Sequence, residues 1–110
     1  VAKESSILRR TFARVLFQSL KVVWPILSGL VGLVMSLGIW VGSIEGWRWD
    51  ESLYFSFVTG LTIGYGEFVP KTLLSRALSV LIGLCGILTT ALIAALAVKA
   101  LTAALNEIKA

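Results

Sequence analysis

Charged residues are unevenly spread along the chain, and the gaps between them predict its elements. Residues 22–44 carry no charge, a run of about 23 that exceeds the roughly 20 residues a helix needs to cross a hydrocarbon core. Residues 77–98 form a second uncharged run, opened by Arg76 and closed by Lys99. It too is long enough to span. The pattern therefore predicts two membrane helices, over 22–44 and 74–99. Ahead of the first, Ile7, Leu8, Phe12, Val15, Leu16 and Leu20 recur at helical spacing, with Arg9, Arg10 and Arg14 on neighbouring arcs. Two readings of 1–21 stand: an amphipathic helix at the inner membrane surface, or an extension of the first span into the cytoplasm. Residues 100–110 continue as a cytoplasmic helical extension with no stop signal. Pro25 is expected in the first turn or two of the first span, where a missing amide hydrogen costs little. Gly29, Gly32 and Gly38 leave room for another helix to approach.

Between the spans, residues 50–70 are too apolar for a solvated loop and too few to cross and return as two helices. The segment must dip into the membrane and come back. Asp50 is a plausible N-cap, with Glu51 in the first turn, for a helix over 50–60 that ends at Gly60. Irregular backbone at membrane depth is tolerated only where it lines water or is buried in protein. The residues after Gly60 are thus the expected lining of a pathway, and they read Thr62-Ile63-Gly64-Tyr65-Gly66.

That string resembles the signature of potassium channels, in which four such loops replace an ion's hydration shell with rings of carbonyl oxygens. Its surroundings strengthen the likeness: a first span, an aromatic-rich short helix, the string, Pro70, then a second span. The pattern is similar to two-transmembrane prokaryotic potassium channels, and the stretch 54–70 also resembles the pore loops of two-pore-domain channels. The resemblance implies an all-α membrane protein. Two transmembrane helices would flank a re-entrant pore helix and an extended filter over 62–66, with 22–99 as the pore domain of a four-fold symmetric homotetramer.

The residue types suit such a filter. Carbonyls that all face one axis require backbone alternating between right- and left-handed dihedrals, and Gly64 and Gly66 supply positions where a side chain would forbid this. Thr62 offers a carbonyl and a hydroxyl at the inner end. Ile63 and Tyr65 are expected to turn away from the axis and wedge against the pore helix. By resemblance, the carbonyls of Thr62, Ile63, Gly64 and Tyr65 hold dehydrated potassium, the permeant ion, and no cofactor is implied.

Several positions depart from the commonest pattern. Glu67 stands where aspartate is more usual, Leu61 where a second threonine often sits, and Val58 where some bacterial members carry a glutamate. No carboxylate pair can form behind the filter. At most the Tyr54 hydroxyl could reach Glu67 and support it. In the second span the resemblance makes Gly86 the hinge glycine, with Gly83 one turn before it. A helical glycine weakens stiffness by roughly 1 kcal/mol relative to alanine, and close packing is the equal alternative for both. Below them Thr89, Thr90, Ala94, Ala95 and Val98 are candidates to line an inner cavity and a helix crossing.

Charge then orients the chain. Seven of the ten basic residues, among them Lys3, Lys21, Lys99 and Lys109, lie on the terminal side of the two spans, which places both termini in the cytoplasm of a cell membrane. Arg9, Arg10 and Arg14 suit anionic lipid. The hydrophobic share of 57% and charged share of 15% point to lipid as the solvent. The net charge of +4 brackets the hydrophobic runs rather than forming a basic patch interleaved with aromatics, which argues against nucleic acid. Without histidine, a nucleophile paired with a base, or an acid cluster at ligand spacing, no enzyme is expected. A poorly selective cation channel, a transporter built from linked hairpins and a membrane anchor are the rivals. The first would lack Tyr65, the second needs several such units, and the third leaves the filter string without a purpose. Gating by a cytoplasmic domain or partner subunit outside this chain, or by the pore itself, is left open.

Overall fold

The computed structural model describes residues 2–109, in which all regular structure is helical. Helix α1 spans Ala2–Glu45, α2 Trp49–Gly60 and α3 Leu73–Lys109. At 1.5 Å per residue, the 44 residues of α1 and 37 of α3 extend about 66 Å and about 56 Å. Both exceed a hydrocarbon core of roughly 30 Å. Only 17% of the most hydrophobic 18-residue window in each is buried. The core helix of a soluble protein would be mostly covered, so these apolar faces are left for lipid or for other chains.

Helix α1 passes from residue 21 to 22 without a break. One consequence corrects the expectation for Pro25. Because α1 begins at Ala2, Pro25 is an interior proline, more than six turns from the helix start, and not a first-turn residue. Position 25 has no amide to offer the Lys21 carbonyl one turn back. Apolar residues on both sides keep the segment helical. The other end is closed by glycine: Gly46 has φ +76°, and the Trp47 amide donates to the Gly42 carbonyl at 2.9 Å. This six-to-one bond with a left-handed residue is a Schellman stop.

The described residues divide into two compact units. One, Leu27–Thr90, holds the later part of α1, all of α2, the return loop and the first part of α3. Its core is Val34, Val41, Phe55, Leu78 and Ile82, flanked by Leu37, Ile44, Trp47, Phe68 and Cys85. Here α1 and α2 meet through small residues. A Cβ on Gly38 would stand 1.6 Å from Ser56 Oγ, and one on Gly42 would stand 1.7 Å from Ser52 Oγ. Two glycines four apart thus receive two serines four apart. The buried hydroxyls are satisfied within α2, Ser52 Oγ donating to the Arg48 carbonyl at 3.0 Å and Ser56 Oγ to the Ser52 carbonyl at 2.8 Å. Of the three glycines expected to admit a helix, only Gly38 does so. Gly29 and Gly32 have nothing within 4 Å, and Gly42 is the partner the charge pattern did not reveal.

The other unit joins the start of α1, up to Ile26, to α3 from Ala91 onward. Thr11, Ser19, Leu96, Ala100 and Ala104 are buried in it. Glu107 Oε2 accepts from Thr11 Oγ1 at 3.2 Å and from Arg14 at 3.1 Å. The pair is exposed and adds at most about 1 kcal/mol, so the small buried residues carry this contact.

Candidate functional site

The short helix α2 begins one residue earlier than expected. Arg48 is its N-cap, with extended backbone at φ −71°, ψ 162°. Asp50 therefore lies inside the first turn and is not the cap. Glu51, at the third helical position, takes the Arg48 amide on Oε1 at 2.9 Å, the carboxylate half of a capping box. Asp50 and Glu51 both pair with the Arg48 guanidinium, at 3.1 and 3.8 Å. Their negative charges also suit the positive end of the helix dipole.

Helix α2 ends at Gly60, with Leu61 capping it at φ −83°, ψ 1° as its amide N–H donates a hydrogen bond to the Phe57 carbonyl. From there the backbone alternates. Thr62 has φ +61°, Gly64 +61° and Gly66 +86°, while Ile63 and Tyr65 keep negative φ. Thr62 is the sole described non-glycine residue with positive φ, a conformation that costs an L-residue roughly 1–2 kcal/mol. The amides of Ile63 and Gly64 both turn back onto the Val58 carbonyl, at 2.9 and 3.3 Å, and the Thr62 amide reaches the Thr59 carbonyl at 3.2 Å. With donors turned toward α2 and dihedrals alternating in hand, the carbonyls of this stretch are free of the helix. The last carbonyls of α2 add partial negative charge beside them. A row of oxygens with no fixed cation is what the arrangement offers chemically.

Beyond this stretch, Glu67 Oε1 accepts from the Tyr54 hydroxyl at 2.6 Å. The Tyr54 ring meets Phe68 edge-on at 6.0 Å, Phe68 meets Trp47 at 5.4 Å, and Trp47 meets Phe55 at 4.9 Å. This aromatic chain ties the return loop to α2 and to the end of α1. Val58 is buried and lines a cavity with Tyr54, Gly64, Tyr65 and Glu67, where a carboxylate could have stood. Downstream, the Lys71 amide donates to the Glu45 carboxylate, Arg76 Nε to the Pro70 carbonyl at 3.3 Å, and the Ser75 amide to Thr72 Oγ1 at 3.2 Å, which caps α3.

Ile63 and Tyr65 are 48% and 68% exposed, and residues 61–67 are all exposed, although Tyr65 shares a cavity with Tyr54, Phe55, Val58 and Thr59 of α2. A single chain supplies no second wall on that side.

The helix α3 glycines differ sharply. A Cβ on Gly86 would stand 1.9 Å from the Gly60 carbonyl oxygen and 2.8 Å from Gly60 Cα, whereas one on Gly83 would meet nothing within 4 Å. Gly86 thus seats the end of α2 directly on the α3 backbone. The sequence marks Gly60 as the end of the short helix, but not its meeting with Gly86. Thr89 donates to the Cys85 carbonyl at 2.8 Å and is half-buried, while Thr90 is exposed. In the other unit Ala94, Ala95 and Val98 are exposed.

Comparison with known proteins gives a consistent picture. The profile of a family described as ion channel matches residues 22–103. The chain is 42% identical over 50 residues to "Probable potassium channel protein 2" of Methanocaldococcus jannaschii, covering 46% of this chain and 15% of that protein. It is 44% identical over 48 residues to human "Potassium channel subfamily K member 5", covering 44% of this chain and 9% of that protein. Against "Open rectifier potassium channel protein 1" of Drosophila melanogaster it is 44% identical over 41 residues, 36% of this chain and 4% of that protein. The matches span at most 15% of the length of these curated relatives. No solved structure matches significantly.

Proposed function

This chain belongs to the ion channel family, and from that premise we propose that it is one of four identical subunits of a potassium-selective pore. The observation that carries the reading is the alternation of positive φ at Thr62, Gly64 and Gly66, with the Ile63 and Gly64 amides held on Val58. It releases the carbonyls of Thr62, Ile63, Gly64 and Tyr65 as a ladder for a dehydrated cation. One ladder cannot surround an ion, and the exposed faces of Ile63 and Tyr65 call for a neighbour. Four copies about an axis supply both the enclosing oxygens and the missing wall. Potassium is cargo here, held by backbone carbonyls with the Thr62 hydroxyl at the inner end of the row.

The setting follows from the same premise. The spans lie in a cell membrane with both termini cytoplasmic, as the distribution of Lys and Arg favours. Thr89, Thr90, Ala94, Ala95 and Val98 serve as lining of the inner passage, their small side chains allowing water to pass or the helices to close. Reconstituted in liposomes with a potassium or a sodium gradient, the protein should pass potassium and rubidium readily and sodium poorly. Equal weight for sodium and potassium in the reversal potential would instead establish the rival reading, a non-selective cation channel.

Tyr54 and Glu67 support the filter in this reading. Their 2.6 Å bond replaces the carboxylate pair that Val58 excludes. Tyr54→Phe removes this hydroxyl from Glu67 and should therefore alter the conductive dwell time of the filter. Ion preference should not change, because the carbonyl ladder is untouched. Single-channel records with unaltered dwell times would remove the brace.

A further inference from the structure

The N-terminal part of α1 carries a cation that the pore reading leaves without a task. Lys21 is the last charge before the uncharged run 22–44, which sets it at the boundary of the apolar region. It has no carboxylate partner among the described residues. Its ammonium rests over the Phe17 ring, 4.8 Å from the centroid. With Phe17, Leu20 and Trp24 it lines an open cavity of about 270 Å³. These residues follow at intervals of three and four and share one face of the helix, turned away from buried Ser19. Phe17 and Trp24 are 60% and 62% exposed.

We propose that the Phe17, Leu20, Lys21 and Trp24 face is a binding site for an anionic membrane lipid, its phosphate on the Lys21 ammonium and its acyl chain along Trp24 and Leu20. The chemistry of the lining selects this occupant. A free anion would be met by one ammonium and three apolar walls, whereas a lipid matches both. A second copy of the chain is poorly equipped to answer Lys21. Of the six acids, Glu45 takes the Lys71 amide, Asp50 and Glu51 the Arg48 side chain, Glu67 the Tyr54 hydroxyl and Glu107 Thr11 with Arg14. That leaves Glu4. The same accounting takes Arg14 out of lipid recognition, since it is held by Glu107, while Lys21 has no carboxylate partner among the described residues.

The site rests on the membrane placement of α1 but not on potassium selectivity, and it is tested by binding rather than conduction. Full-length protein is reconstituted in phosphatidylcholine vesicles containing dibrominated phosphatidylglycerol or dibrominated phosphatidylcholine, and quenching of tryptophan fluorescence is measured. At equal mole fraction the anionic lipid should be preferred about fivefold, the equivalent of ~1 kcal/mol per basic residue at an anionic surface. That surplus should vanish in Trp24→Phe and Lys21→Gln and persist in Lys21→Arg. Helical content by circular dichroism serves as the folding check, and Lys21→Arg keeps the test decisive if the glutamine variant misfolds, since its loss of the surplus would also count against the site. A surplus retained by folded Lys21→Gln, or equal quenching by the two lipids in the unmodified protein, overturns the proposal. So does a change of oligomeric state in Lys21→Gln, which assigns the face to a neighbouring copy. Identical quenching of the unmodified protein and Trp24→Phe by both lipids would remove Trp24 from the acyl region and so count against the membrane placement itself.

Discussion

Gly86→Ala should weaken the folded pore and suppress conduction, while Gly83→Ala, one turn away, should do little. The added methyl would lie 1.9 Å from the Gly60 carbonyl oxygen and 2.7 Å from the Gly60 carbonyl carbon. These are backbone atoms, so no rotamer change relieves the clash. Either α3 or the end of α2 must shift by more than an ångström. Overpacking of this kind costs about 3 kcal/mol at the upper end of the usual range, and the displaced segment leads straight into Thr62. At Gly83 the methyl enters open space, and alanine even favours the helix by roughly 1 kcal/mol. Thermal stability of the assembled protein, measured alongside open probability in bilayers, separates two roles for Gly86. A flexible hinge alone predicts lower open probability with stability unchanged or raised. The packing contact predicts that both fall together. If Gly83→Ala proves the more damaging, the bend lies there, where the surroundings leave room for it.

The second large effect is expected at the seam between α1 and α2, and it carries its own rescue. Gly42→Ala places a methyl 1.7 Å from Ser52 Oγ and 2.7 Å from Ser52 Cβ. Rotating the hydroxyl clears the first contact but not the second. A loss of about 1–3 kcal/mol follows. Ser52→Ala should not restore stability, because its Cβ remains. Ser52→Gly should restore part of it, less the roughly 1 kcal/mol that glycine costs within a helix. The same logic couples Gly38 to Ser56, whose Cβ would stand 2.8 Å from an added methyl. Melting temperatures of the single and double variants form a double-mutant cycle. Additive losses in Gly42→Ala, Ser52→Gly would show that the two residues do not meet in the native protein.

Gating is where the two readings of α3 diverge. The likeness to potassium channels made Gly86 a bending point, while the structure gives it a neighbour that any motion there must carry along. Motion of α3 at Gly86 would thereby reach the end of α2, two residues from the filter. The resemblance could name the glycine but not what lay against it, since spacing along one helix holds no information about the residue facing it. Pro25 has the same origin in reverse. It lies near the start of the uncharged run yet sits deep inside a helix, because charge marks where lipid ends rather than where the backbone stops being helical.

The sequence by itself determined the two long apolar helices, the short helix between them, and the filter string with its glycines. Each of these is set locally, by the charge-free length that lipid demands and by the left-handed backbone that Gly64 and Gly66 allow. It also anticipated that Tyr54 was the group able to reach Glu67, because Val58 removed the alternative. Only the tertiary structure decided what faces what: Gly38 and Gly42 against Ser56 and Ser52, Gly86 against Gly60, and Glu107 against Thr11 and Arg14. In lipid, apolar pattern does not distinguish a face turned to the bilayer from one turned to another helix, so these pairings depend on close fit between small residues. The exposed side of Tyr65 belongs to the same class, for nothing within the single chain covers it and no pattern along the chain says what would.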